Sequence, residues 1–186
     1  MIAFLIRIFG TVALRGAVTM TAAGSVAGFG SNFHDLRGEL PHRTDMTYST
    51  RPESQVEGVV FHHSATSGQS IKSIAHFHTE VRKWPAIAYH FAIGYDGVVY
   101  ELNDVTRASY HAQGHNRNTI GVVLIGNYES RELTEEMENS IIMLNEYLKD
   151  RYNLKFAWMH AEARATLCPG KNAKAFIRPY LYGPRP

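Results

Sequence analysis

One cysteine stands in the 186 residues, so the chain has no internal disulfide, and its compartment is neither fixed nor excluded on redox grounds. The lone thiol is left with three roles: buried filler, reactive nucleophile or soft metal ligand. Charge of one sign is also scarce, with 19 Lys and Arg against 17 Asp and Glu for a formal net charge of +2. That excess is too small for a nucleic-acid surface, and no nucleic-acid partner is expected. The chain carries no internal repeat, no heptad array and no phosphate-cradling glycine loop; Gly114, in His-Ala-Gln-Gly-His, does not open a helix after a strand as a nucleotide loop would. No carboxylate pair of the glycosidase kind stands out.

The thiol itself has informative surroundings. Cys168 precedes Pro169 and Gly170, which favour a loop over an element interior, and His160 lies eight positions before it. A second histidine source is His62-His63-Ser64-Ala65-Thr66, at the end of an apolar run that reads as a buried strand. Side chains alternate along a strand, so only one of His62 and His63 can aim at a given point. An open zinc site needs three protein ligands and a water, and His62, His160 and Cys168 would supply a two-histidine, one-thiolate triad. The competing reading of Cys168 is a packed structural thiol.

Residues 56–61 read as the first buried strand, followed by a helix from Ile71 to Val81 with Ser70 as N-cap. On that helix His76 and His78 are expected as surface or packing residues. Residues 88–102 read as a hairpin around Tyr95-Asp96-Gly97, with Tyr89, Phe91, Ile93 and Tyr95 on one face and His90, Ala92 and Gly94 on the other. Residues 105–118 read as a loop, 120–125 as a buried strand, and 156–159 as a strand delivering His160. Thr134 caps a helix to about Arg151, whose Met137, Ile141, Leu144 and Leu148 form one apolar stripe. A short helix over 173–177 precedes an irregular tail over 179–186. Strands interleaved with helices imply an α/β fold, a single domain over 56–178 with a central mixed sheet flanked by helices.

Two segments precede that domain. Within residues 1–33, residues 1–9 are strongly apolar around Arg7, Arg15 precedes an uncharged, weakly apolar run, and Ser25-Val26-Ala27 offers small residues suited to cleavage, which suggests export or membrane tethering. The alternative is an arm packed on the domain. Residues 34–55, with Pro41, Pro52 and no sustained apolar period, read as a surface linker.

Five motifs occur in an order that resembles the type 2 N-acetylmuramoyl-L-alanine amidases, a family that includes small phage lysozymes and peptidoglycan recognition proteins. They are His62-His63-Ser64-Ala65-Thr66, Ala88-Tyr89-His90-Phe91-Ala92-Ile93, His111-Ala112-Gln113-Gly114-His115-Asn116, Ile120-Gly121-Val122-Val123-Leu124-Ile125-Gly126-Asn127 and Thr166-Leu167-Cys168-Pro169-Gly170. The resemblance spans residues 56–177. It implies one zinc ion on His62, His160 and Cys168, and hydrolysis of the amide between N-acetylmuramic acid and the L-alanine of the stem peptide. Its partners would be peptidoglycan or muropeptides, its location the cell-wall compartment and its state a monomer, with transient membrane association through residues 1–33.

Catalytic roles follow from the same resemblance. Tyr89, immediately before His-Phe, is expected beside the metal, and Thr166 stands where some phage relatives have lysine. Val123 stands where cytoplasmic relatives carry a glutamate. His63, His90, His111, His115 and Asn116 are expected to contact substrate. The rival reading, a recognition module that binds peptidoglycan without cutting it, is disfavoured by the presence of both Cys168 and Tyr89.

Overall fold

Short apolar runs bounded by turn residues become the inner strands of one sheet in the computed structural model, which describes residues 29–186. The strands are β1 (Phe33–Asp35), β2 (Gly58–His63), β3 (Phe91–Ile93), β4 (Val99–Glu101), β5 (Thr119–Leu124) and β6 (Phe156–Met159). They form a six-stranded sheet in the order β1-β4-β3-β5-β2-β6. The inner pairs β3·β5, β5·β2 and β2·β6 are parallel; β4 returns antiparallel to β3, and β1 runs parallel to β4 at the edge. The helices are α1 (Ile71–His76), α2 (Glu135–Tyr152), α3 (His160–Ala163) and α4 (Lys171–Ile177). The result is the mixed α/β architecture expected from the sequence.

Strand alternation sorts the side chains onto two faces. Val59, Phe61, Ile120, Val122, Leu124, Phe91 and Ile93 pack with Met137, Ile141, Leu144 and Leu148 of α2 and with Ala173 and Ile177 of α4 in the larger core. The opposite face splits into a cluster around Ala92, Val123 and α1, and another around Val60, Ala112, Phe156 and Trp158. His62 belongs to this second face, at the carboxyl end of β2. In parallel sheets the carboxyl ends of the strands are where ligand crevices open.

The caps read from the sequence are present. Ser70 Oγ accepts from the Ser73 amide at 3.1 Å and Thr134 Oγ1 from the Met137 amide at 3.2 Å. The hairpin turn is closed by Gly97, whose φ of 78° is a left-handed conformation that favours glycine. Three expectations change. The first helix is α only to His76 and continues as a π turn over Phe77–Val81. The hairpin strands are three residues each, so the face alternation expected from Tyr89 onward starts at Phe91. Tyr89 packs with the Ala92 and Val123 cluster and not with Phe91 and Ile93.

The third change concerns residues 34–55, expected as a surface linker. Phe33–Asp35 is the edge strand, Tyr48 and Arg51 are buried, and Phe29 joins the larger core against Phe33 and Tyr147. Arg51 has no carboxylate beside it. It donates instead to the carbonyls of Val105 (2.9 Å), Asn116 (2.7 Å) and Thr119 (2.9 Å), tying the 105–119 loop to the sheet. Burial holds its pKa down to about 10, so the cation persists at neutral pH. The tail is also pinned, since Tyr182 bridges to Ala157 and Trp158 Nε1 donates to the Pro184 carbonyl at 2.7 Å. The expected export or tethering segment lies, up to residue 28, outside the described residues. Among those described, no helix is long and apolar enough to cross a membrane.

Candidate metal centre

Three chain segments deliver the triad to one point. β2 ends at His62, β6 hands directly to His160 at the start of α3, and the loop before α4 carries Cys168. One ligand atom from each lies within 4.8 Å of the other two. Cys168 Sγ is 3.8 Å from His62 Nδ1, and the rings of His62 and His160 are 4.5 Å apart between centroids. Ligand atoms around a tetrahedral zinc with these bond lengths sit roughly 3.3–3.8 Å apart, so small side-chain adjustments close the triad. A nitrogen, nitrogen and sulfur set is also the donor chemistry zinc favours. Among the described residues Cys168 thus groups with two imidazoles and with none of the apolar clusters.

The two imidazoles are in the protonation state that ligation needs. Burial, then neighbouring His111 and His160, depresses the pKa of His62 well below the usual imidazole value, and burial depresses His160 likewise. Both are neutral at pH 7, as metal ligands must be. Burial pushes the Cys168 thiol up to about 11, against the backbone amide of His63, which donates to Sγ at 3.4 Å and pulls the value down. That amide is a preformed donor to a thiolate.

The triad lies at the floor of a cleft of about 1040 Å³. Tyr89 and Thr166 line it, as do Trp84 and Tyr110. The Tyr89 ring is 5.3 Å from that of His62, and burial raises the phenol pKa, so its hydroxyl stays protonated as a donor at neutral pH. Thr166 Oγ1 accepts from the Cys168 amide at 3.2 Å, which shapes the loop and leaves the O–H free to donate elsewhere. Among the described residues the cleft lining contains no Asp or Glu, while Arg82 and Arg164 stand on its walls. Arg82 stacks over the Phe77 and Trp84 rings, and Arg164 donates to Gln113.

The five expected substrate contacts divide. Asn116 is on the cleft wall, its Oδ1 accepting from the Ala112 amide at 2.7 Å. His63 also reaches the cleft, but its Nδ1 accepts from the Tyr128 amide at 3.2 Å on the far face of the sheet. His90 is a correction: it is fully buried and absent from the lining, with Nδ1 accepting from the Gly121 amide at 2.9 Å and Nε2 donating to the Arg107 carbonyl at 2.8 Å. His115 packs edge-on against Trp158 at 5.3 Å and is likewise outside the lining. His111 is among the residues lining the cleft beside His62, but both of its ring nitrogens are engaged within the protein, which leaves none for substrate. His78, expected as a packing residue, does pack on Trp84, yet it also lines the cleft 5.9 Å from the Tyr89 ring. Its Nδ1 also accepts from the Ala88 amide at 3.1 Å, a contact that helical spacing alone could not reveal.

The fold is thus an α/β protein with a parallel-rich sheet and, at the carboxyl ends of its strands, a two-histidine, one-cysteine cluster that could hold a metal ion. Residues 52–171 match the family model described as N-acetylmuramoyl-L-alanine amidase, and the chain belongs to that family. It is similar to peptidoglycan-recognition protein SC1a of Drosophila melanogaster, 30% identical over 130 residues that cover 64% of this chain and 70% of that protein. It is also similar to the endolysin of Enterobacteria phage T3, 28% identical over 132 residues, covering 67% of this chain and 87% of the other. Among solved structures, the N-acetylmuramoyl-L-alanine amidase LysC of Clostridium intestinale superposes with a TM-score of 0.65 at 26% identity, covering 80% of this chain and 96% of that one.

Proposed function

We propose that the protein is a zinc-dependent hydrolase of the amide between N-acetylmuramic acid and the L-alanine of peptidoglycan stem peptides. The observation that carries this reading is the His62, His160 and Cys168 cluster open to a cleft beside Tyr89. Zinc bound there supplies Lewis-acid polarisation of the amide carbonyl and lowers the pKa of an attacking water. The chain does the rest. Tyr89 offers its hydroxyl to the oxygen that gains charge as the carbonyl is attacked. The Thr166 hydroxyl, whose oxygen accepts from the Cys168 amide, lines the cleft and would relay a proton to the departing amine, taking one up from the attacking water as it gives its own. Val123, in register with His62, is apolar, so no carboxylate from β5 takes part. Arg82 and Arg164, with no acidic side chain lining the cleft, suit a substrate that carries peptide carboxylates.

Chelation followed by zinc add-back on purified cell walls tests the reading. The expected product is new alanine amino termini, lost with the chelator and restored by zinc; reducing sugar ends would identify a glycosidase, and binding without cleavage a recognition module. Residues 1–33 are proposed to direct export or tethering. Because Phe29 is part of the core, the truncation that tests this begins at Gly28. Full-length chain in the membrane or exported fraction, against soluble truncated chain, is the expected outcome; identical fractionation removes the proposal.

A further inference from the structure

His111 occupies a hole in the sheet made for it. The Gly121 position in β5 has no side chain, and a Cβ there would lie 2.6 Å from His111 Cγ and 2.8 Å from its Nδ1. Glycine inside a buried strand weakens it, and here it admits a close neighbour. The imidazole fills that space, with Nδ1 3.2 Å from His62 Nε2 and Nε2 3.3 Å from both the carbonyl and the hydroxyl of Thr119.

The Thr119 end fixes where the protons are. Its carbonyl can only accept, and its hydroxyl donates to the His115 carbonyl at 2.6 Å, so toward His111 the hydroxyl oxygen also accepts. His111 Nε2 must therefore carry hydrogen. A neutral imidazole has one N–H, so Nδ1 is bare and accepts. The group facing it, His62 Nε2, must be the donor. His62 Nδ1 is then the bare nitrogen, and it is the one facing Cys168 Sγ. The opposite assignment would set the lone pair of His111 Nε2 against the Thr119 oxygens and place a hydrogen on His62 where a metal would sit.

We propose that His111 is a positioning residue that locks His62 in the tautomer whose Nδ1 lone pair faces the metal centre, with Thr119 as the anchor and Gly121 as the space that lets it approach. Outer-shell partners of metal-bound histidines fix tautomer and ring angle, and their loss typically costs 10–100-fold in metal affinity. The inference rests on the metal reading given under Proposed function.

The test measures zinc affinity by competition with a chromophoric chelator on the full-length chain. His111→Leu, similar in bulk and without an acceptor, is expected to bind zinc about 10–100-fold more weakly. His111→Asn, whose Oδ1 can replace the Nδ1 acceptor, is expected to recover most of that loss. Gly121→Ala, which keeps every histidine but displaces His111, is expected to behave like His111→Leu. Equal losses in the Leu and Asn variants would mean a structural role only and overturn the proposal, as would an unaltered affinity in His111→Leu. Nitrogen-15 shifts of the intact wild-type chain read the tautomer without any variant: His62 protonated at Nε2 and, with zinc, bound through Nδ1 is expected, and Nε2 ligation refutes it. Zinc failing to bind the wild type would defeat the metal reading itself, whereas zinc binding the wild type and His111→Leu alike defeats only this one.

Discussion

Replacing Cys168 with alanine is expected to lower zinc affinity by more than the 100-fold that typifies loss of an outer-shell partner, and to abolish release of alanine amino termini from cell walls. The fold should tolerate the change, because Cys168 sits partly buried in a loop and belongs to none of the three apolar clusters. Near-wild-type thermal stability with lost metal and lost cleavage is the expected pattern. Tyr89→Phe separates ligation from catalysis. It keeps the ring that packs near His62 and Val123 and removes only the hydroxyl, so zinc affinity should hold while kcat falls about 100–1,000-fold, the usual cost of one oxyanion donor. Calorimetric zinc titration and single-turnover cleavage measure the two. Full cleavage by Cys168→Ala would end the zinc mechanism, and full kcat in Tyr89→Phe would remove Tyr89 from it.

Much of this was legible because the deciding features are local or strictly periodic. The α2 stripe repeats every three to four residues, and the caps at Ser70 and Thr134 follow from one hydroxyl each. The inner strands are continuous apolar runs, as burial on both faces requires. The triad was legible because a lone loop thiol needs partners and few histidines end strands. Arg51 was not legible: its partners are carbonyls 54 to 68 positions away, and carbonyls leave no trace in sequence. Tyr89 was assigned the wrong face because alternation was extended two residues past the point where β3 begins. His90 and His111 looked like substrate contacts since they are polar and stand in the motifs. The buried amide of Gly121 and the buried oxygens of Thr119, both supplied by β5, claim their nitrogens instead. Gly121 was the one signal available, a glycine in an otherwise bulky buried run.

Those buried histidines should make the fold acid-sensitive well above the range where carboxylates titrate. Burial lowers His90 to about 3 and His78 to about 4, against an unfolded value near 6.5. A base whose pKa is depressed by folding binds fewer protons in the native state, so its contribution is fully present above pH 6.5 and is lost as pH falls toward the native value. By pH 4.5 these two cost roughly 5 kcal/mol together, at about 1.36 kcal/mol per unit of pKa difference. His62 and His111, depressed by the same burial, act in the same direction. Glu101 opposes them: burial raises its carboxyl to about 7 despite Arg37 at 3.0 Å, so it takes up a proton on folding across this window and offsets roughly 3 kcal/mol. Urea unfolding of the zinc-free protein at pH 7.5 and 4.5 should therefore show a clear net loss in the wild type. Glu101→Gln should steepen the loss, and His90→Gln should flatten it by about 3 kcal/mol, although its midpoint at pH 7.5 will be lower. A wild-type stability that is level between the two pH values, with the Glu101→Gln variant level as well, would mean that these imidazoles are hydrated and that the scaffold behind the metal centre is not the dry, hydrogen-bonded layer described above.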